Sequence, residues 1–281
     1  MPWPVLRHFF QESYSAPKEV YDQLHRRGMD LVTLTDHDSI GGSEELRRFP
    51  DFFVSEEVTC QMPSGTRVHI GVYDLSERQH VQIIRRRNDL IRLLAYLSEQ
   101  RLFFTINHAF SGLTGCRVAE DFGWFADYFP AVEVLNGQML PKANWNAAEM
   151  ARRMAKIQVG GSDGHALASA GTAYTEVPGA RNKEEFLAGL RAGYGHPRGE
   201  SGGYWKLTRD ILLLCREMMR KDLWTILLIP VVPLVPGAVA INYFLDLSFA
   251  KRWGARINPA PFGPGWSDLP RQKRAAWDVP T

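Results

Sequence analysis

The stretch Leu31-Val32-Thr33-Leu34-Thr35-Asp36-His37-Asp38 runs an apolar, β-branched segment straight into three consecutive side chains that bind metals or protons. The pattern predicts a strand over 30–35 with polar groups at its C-terminal end. In a chain built of βα repeats that end opens onto the active-site face, so ligand-type residues there read as catalytic. A plainer reading stands beside this one: Asp36 or Asp38 caps a following helix, and His37 is a hydrogen-bonded structural residue. The rest of the chain weighs between them, because the pattern recurs.

Upstream, the spacing predicts a helix over 15–27 with Ser15 as N-cap, Val20, Tyr21 and Leu24 as its buried stripe, and Gly28 as its stop. Downstream, a short helix over 43–48 leads to a second strand over 52–59, in which Glu56 and Glu57 interrupt an apolar run. A buried carboxylate costs several kcal/mol unless a cation or several donors satisfy it, which makes a metal the economical explanation, with an exposed edge-strand pair as the plainer alternative. A turn at Pro63-Ser64-Gly65-Thr66 reverses the chain into a strand over 67–73 that carries His69. One long helix is expected over 76–101, opened by a capping box of Ser76 and Gln79. A strand over 102–108 then ends on His108. Further elements follow as a helix over 118–129, a strand over 131–136, a helix over 142–156 and a strand over 157–161. That last strand delivers Ser162-Asp163-Gly164-His165, and a helix starting at Asn182 stops at Gly193.

His37, Glu57, His108 and the Asp163/His165 pair therefore close four strands, and His69 lies within a fifth; His25 and His80 fall on helices and read as solvated. Imidazoles mixed with carboxylates are ligands for zinc, manganese or iron rather than for calcium or magnesium alone. The chain of 281 residues has 33 basic and 31 acidic side chains, a net charge of +2 that favours no polyanionic partner and gives nucleic-acid binding no support. Three cysteines, Cys60, Cys116 and Cys215, stand far apart without a CxxC pair, which signals neither a disulfide framework nor a zinc knuckle and makes a reducing, cytoplasmic setting the default. No signal peptide is read in the first ten residues.

With these motifs in place, the chain resembles the PHP (polymerase and histidinol phosphatase) superfamily. The matching segments are Leu34-Thr35-Asp36-His37-Asp38-Ser39-Ile40, Ser55-Glu56-Glu57-Val58-Thr59, Val68-His69-Ile70, Ile106-Asn107-His108, Glu133-Val134-Leu135-Asn136-Gly137 and Gly161-Ser162-Asp163-Gly164-His165, spread over about 13–199. The resemblance implies an α/β fold, a distorted seven-stranded (β/α) barrel, with up to three divalent ions (Zn, Mn or Fe) and a phosphate ester as substrate. It places His37 and His165 on one metal, Glu57, His69 and His108 on a second, and Glu57 with Asp163 at a third. Asp36, His37, Glu57, Asp163 and His165 are then the candidate catalytic residues. The family's opening strand ends in His-x-His, whereas here a connector is read over 5–15 with His8 alone. The barrel is accordingly expected to be N-terminally truncated, with fewer than three metals.

Beyond Gly199 the composition shifts, so the resemblance gives a hydrolase domain over 1–199 and an extension over 200–281. A helix is read over 205–221, then Leu223 to Leu245 form 23 residues without a charge, enough for the roughly 20 that cross a bilayer. Pro230, Pro233 and Pro236 argue against a straight helix. Membrane contact and packing on the barrel or on a second copy both stand open, and the tail over 258–281 reads as irregular. Two function classes remain: a metal-dependent phosphoesterase acting on a small-molecule ester, and a degenerate, non-catalytic metal-binding module tethered at a membrane.

Overall fold

The computed structural model describes residues 15–112, 114, 117–221 and 223–257. The expected connector over 5–14 and irregular tail over 258–281 lie outside the described residues. Strands β1 (Ser55–Gln61), β2 (Arg67–Tyr73), β3 (Phe103–Ile106), β4 (Ala131–Asn136) and β5 (Ile157–Gly161) form one sheet in that order. The first three pair antiparallel and the last three parallel. The β1–β2 hairpin turns at the predicted Pro63–Thr66 segment, where Gly65 takes a φ of +85° and Met62 N–H donates to Thr66 O at 2.7 Å. A positive φ of this size favours glycine.

Helices α1 (Pro17–Arg26) and α2 (Gly41–Leu46) precede the sheet. Helices α3 (Glu77–Arg86) and α4 (Leu90–Glu99) lie between β2 and β3, α5 (Ala119–Tyr128) between β3 and β4, and α6 (Pro141–Arg153) between β4 and β5. The core lies between sheet and helices, where Phe104, Phe122, Phe125 and Phe129 pack edge to face against one another. A second, smaller sheet pairs β6 (Ala173–Glu176) with β7 (His196–Gly199), and α7 (Lys183–Arg191) lies between them in sequence. This pair carries no strong sequence signal, because four-residue strands with little apolar alternation look like loops. Among the described residues the ladders do not close into a barrel; the architecture is an α/β sheet with strand–helix alternation.

Three expectations need correcting. Residues 30–35 form no continuous strand: Asp30 and Leu31 bend, and parallel bridges Val32–Phe52 and His37–Glu57 bracket a gap. Hydroxyls fill it, with Thr33 Oγ1 donating to Phe53 O at 2.7 Å and Ser43 Oγ to Leu34 O at 3.2 Å. The helix expected over 76–101 is two helices. Its capping box at Ser76 and Gln79 forms as predicted, but Asp89 Oδ1 accepts from Arg92 N–H at 3.1 Å and starts a new helix, while Arg87 at the break pairs with Asp38. Finally, His80 and His25 are not solvated. His80 Nδ1 lies 2.7 Å from Oε2 of the fully buried Glu56, and His25 Nε2 lies 2.8 Å from Asp51 Oδ2. Asp89→Ala should cost about 1 kcal/mol, as loss of an N-cap does, measured as a lower urea midpoint at unchanged slope.

The C-terminal unit consists of α8 (Tyr204–Lys221), a 3₁₀ segment (Leu223–Leu234) containing Pro230 and Pro233, and α9 (Val235–Ile257). The prolines break the helix as predicted, because each lacks the amide donor. The stretch Thr225–Arg256 is long and apolar enough to cross a membrane, and only 11% of its most apolar window is buried.

Candidate metal centre

Backbone pairing assembles the centre from four separate segments. Asp38 N–H donates to Glu57 O at 2.9 Å and Glu57 N–H to Asp36 O at 3.1 Å, which sets His37 beside Glu57. On β2, Asn107 N–H donates to His69 O at 3.0 Å, which sets His69 beside His108. Glu57 stands opposite Gly71. A Cβ at Gly71 would lie 2.7 Å from Thr105 Oγ1 and 3.1 Å from Asn107 Oδ1, so only glycine leaves room for Asn107 Nδ2 to donate to Glu57 Oε1 at 2.7 Å.

His37, Glu57 and His69 each offer one ligand atom, all within 4.8 Å of one another. His37 Nε2 is 3.2 Å and His69 Nδ1 3.8 Å from Glu57 Oε2, while His108 Nε2 is 3.4 Å from Oε1. His69 Nδ1 and His108 Nε2 face each other at 3.0 Å. Three imidazoles thus converge on one buried carboxylate. Lone pairs aimed at one another are favourable only with a proton or a cation among them, so this donor set fits a divalent metal. His37 joins Glu57 and His69 in this cluster, whereas the resemblance had placed it with His165.

Asp163 and His165 follow β5. Asn136 Nδ2 donates to Asp163 Oδ2 at 3.0 Å, and His165 Nδ1 lies 3.0 Å from Asp163 O. Both residues line the same cleft of about 1740 Å³ as His37 and Glu57. Asp36 also lines it, but its carboxylate turns toward Gly42, where a Cβ would approach Oδ2 to 2.6 Å. Three non-glycine residues with positive φ sit at these strand ends: Asp38 at 54°, His108 at 28° and Asp163 at 47°. Such conformations cost of order 1–3 kcal/mol each and gather at functional sites.

Glu133 and Asn136 complete the centre and were not assigned a role from sequence. Glu133 Oε2 accepts from His108 N–H and from Asn136 Nδ2, each at 2.9 Å. A carboxylate inside the apolar strand Ala131–Asn136 was the available signal, the same one that marked Glu57. Burial, with the negative charge of Asp163 nearby, pushes the Glu133 carboxyl up to about 7. For Glu57, burial pushes upward, but the hydrogen bond with His108 and the His108, His37 and His69 charges hold it well below the usual range. Burial pushes His108 down, yet its bond to Glu57 and that carboxylate's charge outweigh this and raise it to about 9.

Both His108 and Glu133 bind protons more tightly folded than unfolded, so each contribution shrinks as pH rises. The His108 part is full below its unfolded value of about 6.5 and is lost through about 9; the Glu133 part falls from about 4.5 through about 7. The metal-free protein should therefore melt at progressively lower temperature from pH 5 to 9.5. Because the metal takes neutral imidazole, its binding at neutral pH should release protons. Calorimetry in two buffers of different ionisation enthalpy reads that release, and none would remove His108 from the ligand set.

The fold and site together define an α/β domain resembling PHP-type folds and holding a partial His/Glu metal cluster. A family model described as PHP-associated matches residues 141–194. Among solved structures, PsfC from Pseudomonas syringae superposes with a TM-score of 0.53 at 19% identity, covering 76% of this chain and 94% of that one. A Bifidobacterium adolescentis protein, described as a candidate metal-dependent phosphoesterase, gives a TM-score of 0.44 at 14% identity, covering 63% of this chain and 90% of that one. No curated protein matches the chain.

Proposed function

We propose that the chain is a metal-dependent phosphoesterase acting on a small-molecule phosphate ester, with residues 1–199 as its catalytic unit. The observation that carries the reading is the convergence of His37, His69 and His108 on buried Glu57 at the wall of a cleft. His37, Glu57, His69 and His108 would hold a divalent ion of the zinc, manganese or iron class, with Asp163 and His165 on the wall of the same cleft as the proton-transfer pair. When bound, such an ion polarises a phosphoryl oxygen and lowers the pKa of water enough to make a nucleophile near neutral pH.

The chain's own groups do the rest. Asn107 fixes the Glu57 carboxylate by its 2.7 Å bond. Glu133 holds the His108 backbone, and thereby the ring, in its positive-φ conformation. Asp163, partly exposed and oriented by Asn136, is placed to accept a proton from an attacking water. His165, with its side chain 39% exposed, is placed to return a proton to a leaving alkoxide. A second reading, a metal-binding module without catalysis, is favoured by one observation: among the described residues, only His37, Glu57 and His69 meet as a three-ligand group.

Purification without chelator, metal analysis, and assay of p-nitrophenyl phosphate mono- and diesters with added manganese separate the two. Metal with turnover supports the enzyme. Metal without turnover on any ester supports the module, and less than one equivalent of zinc, manganese or iron overturns both.

A further inference from the structure

The unit over 204–257 carries a surface that the catalytic reading does not use. Of the seventeen large apolar side chains exposed among the described residues, eleven fall between Trp205 and Leu245. Leu227 is 81%, Trp205 79%, Phe244 67% and Leu234 66% exposed. Monomeric soluble proteins rarely gather so many exposed large apolar side chains in one unit without a partner for them. The same unit holds eight Lys and Arg against four Asp and Glu, although the whole chain has 33 against 31, so the remainder is net acidic. Arg216, Arg220 and Lys221 end α8, and Lys251, Arg252 and Arg256 end α9; all six are exposed.

Helix α9 has two faces. Ile241, Phe244 and Leu245 point outward at i, i+3, i+4 spacing, while Val239, Asp246, Ala250 and Trp253 are buried against the domain. Asp246 Oδ1 accepts from Gly112 N–H at 3.2 Å, and Asn146 Nδ2 donates to Ala250 O at 2.6 Å. Trp253 lies 5.4 Å from Phe122, centroid to centroid. Helix α8 is tied down as well, through Gln138 Nε2 to Asp210 Oδ2 at 3.0 Å and Lys206 Nζ to Thr172 Oγ1 at 2.9 Å.

These bonds separate lying on a membrane from crossing one. A span over Thr225–Arg256 would carry Asp246 into hydrocarbon and break its bond to Gly112, a cost with nothing to offset it. The outward face alone can enter lipid with every docking contact kept. A second copy of the same unit would set its eight Lys and Arg against four Asp and Glu beside an identical excess, an unfavourable like-charge arrangement. Anionic headgroups complement them instead, with the apolar stripe entering the acyl boundary.

We infer that the 3₁₀ segment and the outer face of α9 form a monotopic docking surface for an anionic lipid bilayer, lying in the interface and not crossing it. The test uses the full chain and sealed vesicles, either of phosphatidylcholine alone or with about one-third phosphatidylserine. Flotation should show binding to the mixed vesicles, weakened by raised salt. The double variant Leu227→Glu with Phe244→Glu should bind at least about tenfold more weakly, with unchanged circular dichroism and metal content. On bound protein, Arg256→Cys in a Cys215→Ser background should react with an impermeant maleimide added outside. Absence of vesicle binding overturns the inference, as does a dimer that the double variant dissociates while vesicles are ignored. Protection of Cys at 256 in bound protein overturns it in favour of a span.

Discussion

Glu57→Gln should abolish metal retention and lower phosphoester hydrolysis by about two to four powers of ten, the range expected when a metal-activated water and its charge neutralisation are lost. The substitution is isosteric, and the amide oxygen can still accept from Asn107 at the 2.7 Å position, so the fold should persist. What disappears is the negative charge on which three imidazoles converge at 3.2–3.8 Å. His108 alone should show a milder effect: His108→Ala removes one donor and leaves the His37, Glu57 and His69 group in place. Metal content by mass spectrometry and rate on a p-nitrophenyl diester check both variants. A Glu57→Gln protein that keeps its metal would show that the carboxylate is not a ligand.

His80→Ala should be strongly destabilising, by about 3 kcal/mol near pH 8, because it leaves a buried carboxylate without its partner. Glu56 is fully buried, and His80 Nδ1, 2.7 Å away, is its only hydrogen-bond partner among the described residues. Burial already pushes the Glu56 carboxyl upward, and the His80 charge and hydrogen bond are the chief opposing effects. Without His80 the group should take up a proton when folded, so the loss should shrink as pH falls and the carboxyl becomes neutral. Denaturant melts at pH 5 and pH 8 read that difference. Adding Glu56→Gln to His80→Ala should recover part of the stability at pH 8, and a strictly additive double mutant would mean the pair is not coupled.

Neighbouring carboxylates thus have opposite fates, and alternation along β1 is the reason. Successive side chains on a strand point to opposite faces, so Glu57 enters the centre and Glu56 lies under α3, the helix that carries His80. Two charges in an apolar run demand partners, and a metal is the partner legible in the sequence for one of them. The pairing of His80 is hidden, because a polar residue on an amphipathic helix usually is solvated. The division of 76–101 into α3 and α4 was hidden for a related reason: Asp89 within a periodic apolar pattern reads as a surface residue until Arg92 N–H is seen bonded to it.

The sequence by itself determined the alternation of apolar runs and amphipathic helices, the strands at 67–73, 131–136 and 157–161, and the gathering of His and acidic residues at strand ends. These are local properties, set by side-chain period and by caps and breakers a few residues away. Only the tertiary structure decided which ligands meet. The His37–Glu57 bridge, the close approach of Asn107 permitted by Gly71, and the convergence of His69 and His108 join segments 20 to 50 residues apart. It also decided that Asp246 faces the domain while Phe244 and Leu245 face outward. Hydropathy sums a segment's apolar content without its direction, whereas direction depends on which neighbour each helix face is packed against.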